Sequence, residues 1–247
     1  MPTVVGEGRR PDVRACGFCH LPGGDGRPEN ATLAGLPARY IVQQMLDFKS
    51  GARKSSVEHR RPTDLMAAIG EAENTQEIAA AAAYFSALKP QSHLTVIEAA
   101  TAPRTVAKGF VMTLVPEGGT EPVGDRIIEF PNDLERFERR DNHVPITAYV
   151  PLGSIAKGKA IVTGHGGKLM PACGSCHGAD LAGKADVPRL AGRSPTYIMR
   201  QLYDFRSGAR AGPTALPMKS VVGLMSQEDM LNAAAYLASL KPRSPSL

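Results

Sequence analysis

Cys16-Gly-Phe-Cys-His20 and Cys173-Gly-Ser-Cys-His177 decide the reading of this chain, because the two pentapeptides use all four of its cysteines. On one turn of helix, residues i, i+3 and i+4 share a face. The two thiols of each motif can then form thioether bonds with the two vinyl groups of one haem, while the adjacent imidazole reaches the iron as proximal ligand. A CxxC redox pair or a four-cysteine zinc site would use the same thiols. Neither accounts for a histidine placed the same way twice, and a zinc ribbon wants its CxxC pairs closer than 157 residues apart.

That offset recurs. Tyr40-Ile-Val-Gln-Gln-Met-Leu-Asp-Phe-Lys-Ser-Gly-Ala-Arg53 returns 157 residues later as Tyr197-Ile-Met-Arg-Gln-Leu-Tyr-Asp-Phe-Arg-Ser-Gly-Ala-Arg210, and Leu33-Ala-Gly35 returns as Leu190-Ala-Gly192. An internal repeat of this length means one structural unit used twice. Tyr84 and Tyr236, and Lys89-Pro90 and Lys241-Pro242, stand 152 apart, so the first copy carries five extra residues between Arg53 and Met66. The expected organisation is a first haem domain over residues 1–93, a linker or insertion over 94–152, and a second haem domain over 153–247.

The repeat also points to sixth iron ligands. Aligned from the C-terminal side, Met66 falls on Met218, and a thioether opposite histidine suits both redox states of a low-spin iron and raises its potential. A single methionine is more often a core filler. Register decides here: Met45 faces Leu202, Met199 faces Val42, Met225 faces Glu73 and Met230 faces Ile78, whereas Met66 and Met218 face each other. The expected ligand sets are His20 with Met66 and His177 with Met218, with His59 as the main rival at the first iron. For His59, His93, His143 and His165, which lack ligand-like spacing, an exposed loop position is the plainer reading.

Local signals indicate small helical domains. Ser194 and Pro195 suit the N-cap and first turn of a helix from Tyr197, and Gly208 suits its end. Pro37 and Gly51 bracket the first copy. The last helices are expected to start at caps Thr75 and Ser226 and to stop before Pro90 and Pro242. Their apolar stripes match: Ile78, Ala81, Phe85 and Leu88 in one, Met230, Ala233, Leu237 and Leu240 in the other.

In this combination of motifs the chain resembles the class I cytochromes c, specifically the two-haem cytochrome c-four type, over roughly residues 14–90 and 153–243. The resemblance implies a mainly α protein of two class I cytochrome c domains, here joined by a β-containing insertion. It also implies two covalently attached haem c groups, held through Cys16, Cys19, Cys173 and Cys176, facing each other across a pseudo-twofold interface. In that family the proximal histidine gives its ring N–H to a backbone carbonyl before Leu-Ala-Gly. Pro188 fits that place, and Ala31 stands there in the first copy. By the same resemblance Tyr40, Arg53, Tyr197 and Arg210 lie near haem propionates, which arginine pairs well; plain surface placement is the alternative.

Two departures stand out. Ser154–Val162 can form the helix that opens a family domain, but residues 1–15 contain Gly6, Gly8 and Pro11 with little helical periodicity. A missing segment or an altered architecture is the expectation there, with a first haem exposed on that side. Residues 94–152 are far longer than a family linker. Thr105–Val115, Asp125–Phe130 and Ile146–Val150 read as strands, and Glu117-Gly-Gly-Thr120 as a turn. Asp133-Leu-Glu-Arg-Phe-Glu-Arg-Arg140 reads as a short charged stretch, usually a solvated face. The segment could cover the first haem, brace the two domains or meet a partner.

Composition sets the remaining bounds. No apolar run approaches a membrane span. The formal charge of +5 is spread over both repeats and lacks the clustered, aromatic-interleaved pattern of a nucleic-acid surface. Covalent haem attachment in bacteria takes place outside the cytoplasmic membrane. The expectation is therefore a periplasmic protein whose export signal is absent from this chain, since Met1-Pro-Thr-Val lacks a basic start followed by an apolar block. Two saturated irons leave no coordination position for substrate. That implies single-electron transfer between redox partner proteins, a dehydrogenase or reductase as donor and an oxidase or another cytochrome as acceptor. The alternatives are a two-haem enzyme of the peroxidase or sulfur-compound dehydrogenase type, or a dedicated electron-transfer subunit of a dehydrogenase complex.

Overall fold

The computed structural model describes residues 1–167 and 170–243; residues 168–169 and 244–247, which fall in the expected second haem domain, lie outside the described residues. The first half runs α1 (Thr3–Gly6), β1 (Gly8–Arg9), β2 (Val13–Arg14), α2 (Cys16–His20), α3 (Ala38–Lys49), α4 (Arg61–Ala72) and α5 (Thr75–Ala87). A strand-rich segment follows: β3 (Leu94–Glu98), β4 (Thr101–Pro103), β5 (Thr105–Lys108), β6 (Val111–Leu114), β7 (Thr120–Pro122), β8 (Ile128–Pro131), α6 (Leu134–Glu138) and β9 (Ile146–Val150). The second half is α7 (Ser154–Val162), α8 (Gly174–His177), α9 (Pro195–Ser207), α10 (Leu216–Gly223) and α11 (Gln227–Ser239). The repeat thus appears as helix pairs: α2 with α8, α3 with α9, α4 with α10 and α5 with α11.

The capping chemistry read from sequence holds for α9, where the Ser194 hydroxyl accepts the Tyr197 N–H at 3.1 Å with Pro195 in the first turn. Gly208, at φ 80°, closes that helix in a left-handed conformation a side chain would strain. Ser226 caps α11 in a capping box with Asp229. For α5 the cap lies one residue earlier than expected. Asn74, not Thr75, accepts the Glu77 N–H, and the Glu77 carboxylate accepts the Asn74 N–H in return.

Each half has its own buried apolar cluster. Phe85, Leu36 and Ile41 centre the first, and Met230, Val222, Phe205 and Leu237 centre the second. In the second, α7 lies so close to α11 that a Cβ on Gly158 would stand 1.9 Å from the Asn232 carbonyl oxygen, so only glycine permits the crossing. In the first, residues 1–15 fill the corresponding need differently. Val4 and Val5 of the single-turn α1 and Val13 of the β1–β2 hairpin are all buried against that cluster. The altered architecture expected of residues 1–15 is thus three branched apolar residues, on a turn and a hairpin, packed on that cluster without a long helix.

In the central segment β9 lies between β3 and β8, pairing parallel with β3 (Leu94 with Ile146) and antiparallel with β8 (Ile128 with Tyr149). The expected run over Thr105–Val115 is a hairpin, broken at Gly109 into β5 and β6. Strands β4 and β7, of three residues each, are too short to stand out from sequence; β3, as long as β9, is not among the expected strands. The segment is anchored to both halves. Glu98 accepts the Ile155 N–H at 2.7 Å at the start of α7. On the other side, the guanidinium of Arg27 stacks on the ring of Phe137 from α6 at 3.6 Å, and Arg140 stacks on Phe18 at 4.4 Å. Phe18 is the central residue of the first CxxCH motif. The Asp133–Arg140 stretch is thus not merely a solvated face, because Phe137 is buried beneath the first half.

Candidate functional site

The CxxCH motifs form single helical turns, which bring each histidine and both thiols to one side as the spacing requires. All four cysteines are unpaired. Burial pushes the Cys16 thiol up to about 12 and raises those of Cys19 and Cys173. A dithiol redox centre needs the opposite, a depressed thiol.

Both proximal histidines are buried, and each has one ring nitrogen already committed. His177 Nδ1 donates to the Pro188 carbonyl oxygen at 2.7 Å and His20 Nδ1 to that of Ala31 at 2.8 Å. A carbonyl can only accept, so the Nδ1–H tautomer follows and the Nε2 lone pair is left for a metal. Burial holds both imidazoles below their ordinary value, hence neutral at pH 7. The carbonyl at residue 31 serves without the proline ring.

A cavity of about 970 Å³, with contributions from both halves, contains His177, Met218, Cys173 and Cys176 together. It is mostly apolar, at the upper end of the ~300–1,000 Å³ typical of cofactor-sized pockets. Tyr40, Arg53, Tyr197 and Arg210 line it as well. A flat apolar macrocycle with two thioether bonds, an axial imidazole, an axial thioether and a charged carboxylate edge fits that set. His20 is buried and Met66 half-buried on α4; neither lines this cavity. His59 sits exposed on the loop before α4 at φ 51°.

The four tyrosine and arginine positions form one network. Arg53 donates to Gln201 Oε1 (3.0 Å) and Tyr197 Oη (3.4 Å), and Arg210 donates to Gln44 Oε1 (2.6 Å) and Tyr40 Oη (3.4 Å). Burial raises the Tyr197 phenol, but Arg193, Arg53 and Arg210 outweigh it and hold the group below its ordinary range. Arg193 was not singled out from sequence. It is buried, lines the cavity and leaves its Nε without a partner, and its counterpart in the first copy is Leu36, so the repeat gives no signal for it. Gln44 and Gln201 were within reach, since both stand in the repeated helix. Glu129 was not, because it comes from β8 to accept from the Ser194 hydroxyl (2.8 Å) and from Thr196 at the start of α9.

Several known proteins are similar to this chain. The family model described as Cytochrome c matches residues 155–241. Cytochrome c4 of Azotobacter vinelandii is 28% identical over 243 residues, covering 96% of this chain and 89% of that protein. The thiosulfate dehydrogenase electron acceptor of Thiomonas intermedia is 26% identical over 95% of this chain and 82% of its own length. Cytochrome c-554(548) of Halomonas halodenitrificans is 38% identical over 68 residues, which span 27% of this chain and 82% of that one. Among solved structures, thiosulfate dehydrogenase (TsdBA) from Marichromatium purpuratum superposes with a TM-score of 0.64 at 26% identity; the alignment covers 97% of this chain and 39% of that longer one.

Proposed function

This chain belongs to the cytochrome c family, and we propose that residues 1–93 and 153–247 each hold one of its two haems, with 94–152 bracing them. It is a dihaem electron-transfer protein and not an enzyme. A covalently bound haem c supplies the one-electron couple. Cys16, Cys19, Cys173 and Cys176 fix the two groups. His20 and His177, oriented by the carbonyls of Ala31 and Pro188, would offer Nε2 to the irons, and Met66 and Met218 would supply the second ligand of each. At the boundary between the halves the guanidiniums of Arg53 and Arg210 would neutralise propionates, and the Tyr40 and Tyr197 hydroxyls would donate hydrogen bonds to them.

The observation that carries this reading is the shared cavity of His177, Met218 and the second motif's two thiols. The partners are redox proteins, and the likeness to an electron acceptor of thiosulfate dehydrogenase supports a dehydrogenase as donor. The location is periplasmic, in keeping with the cytochrome c4 relatives; among the described residues no helix is long and apolar enough to cross a membrane.

The ferric holoprotein tests the ligands, because a sulfur-to-iron band in the near infrared reports axial methionine. Met66→His and Met218→His should each remove about half of that band, in line with one methionine per iron. A band untouched by either substitution would show that the assigned residue is not a ligand.

A further inference from the structure

Among the buried positions at which the two halves differ, one sets a carboxylate against an apolar side chain. Met225 is buried and lines the cavity that contains His177 and Met218. The repeat register puts Glu73 in its place in the first half, where Glu73 is 2% exposed and its Oε1 lies 4.0 Å from Cys16 Sγ. That sulfur becomes a thioether on haem attachment and loses its proton, so it gives the carboxylate no hydrogen bond. Among the described residues no cation touches that carboxylate. Lys49 of α3 is turned to the backbone oxygens of Glu71 and Glu73, at 2.9 Å each. Arg9 of β1 is committed to Glu77 Oε1 at 2.8 Å and to the Ala72 carbonyl.

We propose that Glu73 couples reduction of the first haem to uptake of a proton. When one electron arrives from the redox partner, Glu73 takes one proton from solvent and becomes a neutral carboxylic acid; when the electron leaves, the proton leaves with it. The reason is Coulombic. A buried carboxylate stabilises the more positive, oxidised iron, and loss of that charge on reduction removes the main support for ionisation in an apolar setting. The second half, with Met225, has nothing to titrate there.

The surrounding charges permit this near neutrality. Burial raises Glu73, the Glu77 carboxylate of α5 pushes the same way, and Lys49 and Arg9 oppose, leaving the group at about 7. The proposal rests on the assignment of one haem to each CxxCH motif.

The test is a potentiometric titration of the dihaem protein between pH 5.5 and 8.5, with Met218→His used to mark the second haem by its shifted potential. The first potential should fall with rising pH, approaching 59 mV per unit, the one-electron equivalent of a tenfold change in proton concentration. The second should stay level. Glu73→Gln, close in shape, and Glu73→Met, which copies the second half, should both flatten the first potential near its low-pH value. Infrared difference spectra should show a carboxylic acid band gained on reduction at pH 7 and lost in Glu73→Gln. Two one-electron couples that are both level with pH, or a slope that survives in Glu73→Gln, would overturn the proposal and leave the dihaem reading standing. A single couple, or one haem per chain, would overturn both.

Discussion

Arg53 and Arg210 meet backbone to backbone as an isolated antiparallel bridge, and each guanidinium crosses to the glutamine and tyrosine of the other half. Neighbouring bonds extend the pairing on both sides, Lys54 N–H to the Ala209 carbonyl at 2.7 Å and Ala211 N–H to that of Ala52 at 2.8 Å. Two cations thus stand together at a buried boundary. The glutamines that accept from them are held by carboxylates, Gln44 Nε2 on Asp47 and Gln201 Nε2 on Asp204, at 3.2 Å each. Those carboxylates turn the amide oxygens toward the guanidiniums.

Arg210→Met should destabilise the holoprotein by about 2–4 kcal/mol, since charge-assisted hydrogen bonds contribute roughly 1.5–3 kcal/mol each and part of the loss is offset by relief of repulsion from Arg53. Denaturant unfolding followed by haem absorbance measures it. A loss below about 0.5 kcal/mol would mean that the boundary is held elsewhere.

Phe137→Ala should cost about 3–5 kcal/mol, the usual range for truncating a buried phenylalanine, and the damage should appear in the first half. The ring fills the space beneath Arg27, whose side chain is buried and paired with Glu29 at 3.2 Å. Amide hydrogen exchange over residues 21–32 should rise several-fold while residues 195–207 keep their protection. Equal changes in both halves would argue against a clamp local to the first CxxCH loop.

Glu129→Ala should cost about 1–3 kcal/mol by leaving the Ser194 and Thr196 hydroxyls and the Thr196 N–H without their acceptor. The pH dependence has a definite sign. Burial raises the Glu129 carboxyl despite those bonds, so the folded state holds its proton longer than the unfolded state. Stability therefore falls as pH rises from about 4.5 through the raised folded value. Glu129→Gln should flatten that slope, as measured by thermal unfolding at a series of pH values.

The parts of the fold that sequence revealed are mostly those in which one residue serves one local purpose twice. The CxxCH turns and the left-handed glycines Gly51 and Gly208 follow from short-range geometry with a copy in each half; the Ser194 cap has no copy, since Pro37 stands in its place, and the carbonyls of Ala31 and Pro188 follow from the family resemblance. Cap placement at Asn74 slipped by one residue because Asn and Thr compete for the role and only the reciprocal bond from Glu77 selects between them. The interactions that tie the central segment to its neighbours were not legible. Glu129 reaches across 65 residues to Ser194, and Phe137 meets Arg27 from a stretch whose composition is that of a solvated surface. Glu73 was visible as the partner of Met225 in the repeat, but its burial beside Cys16 depends on packing of α3, α4 and the β1–β2 hairpin.

Strands β3 and β9 lie side by side and run the same way, one leaving the first helical half and the other entering the second. Parallel neighbours must be joined by a crossover, and here the crossover carries the rest of the segment, from Ala99 to Pro145. The β3–β9 pair joins the halves, and Glu129, Phe137 and Arg140 of the crossover fasten it to each of them. Turns of that crossover that touch neither half, such as the one at Gly109, can therefore lengthen or shorten while the β3–β9 register and the Glu129 and Phe137 contacts stay in place.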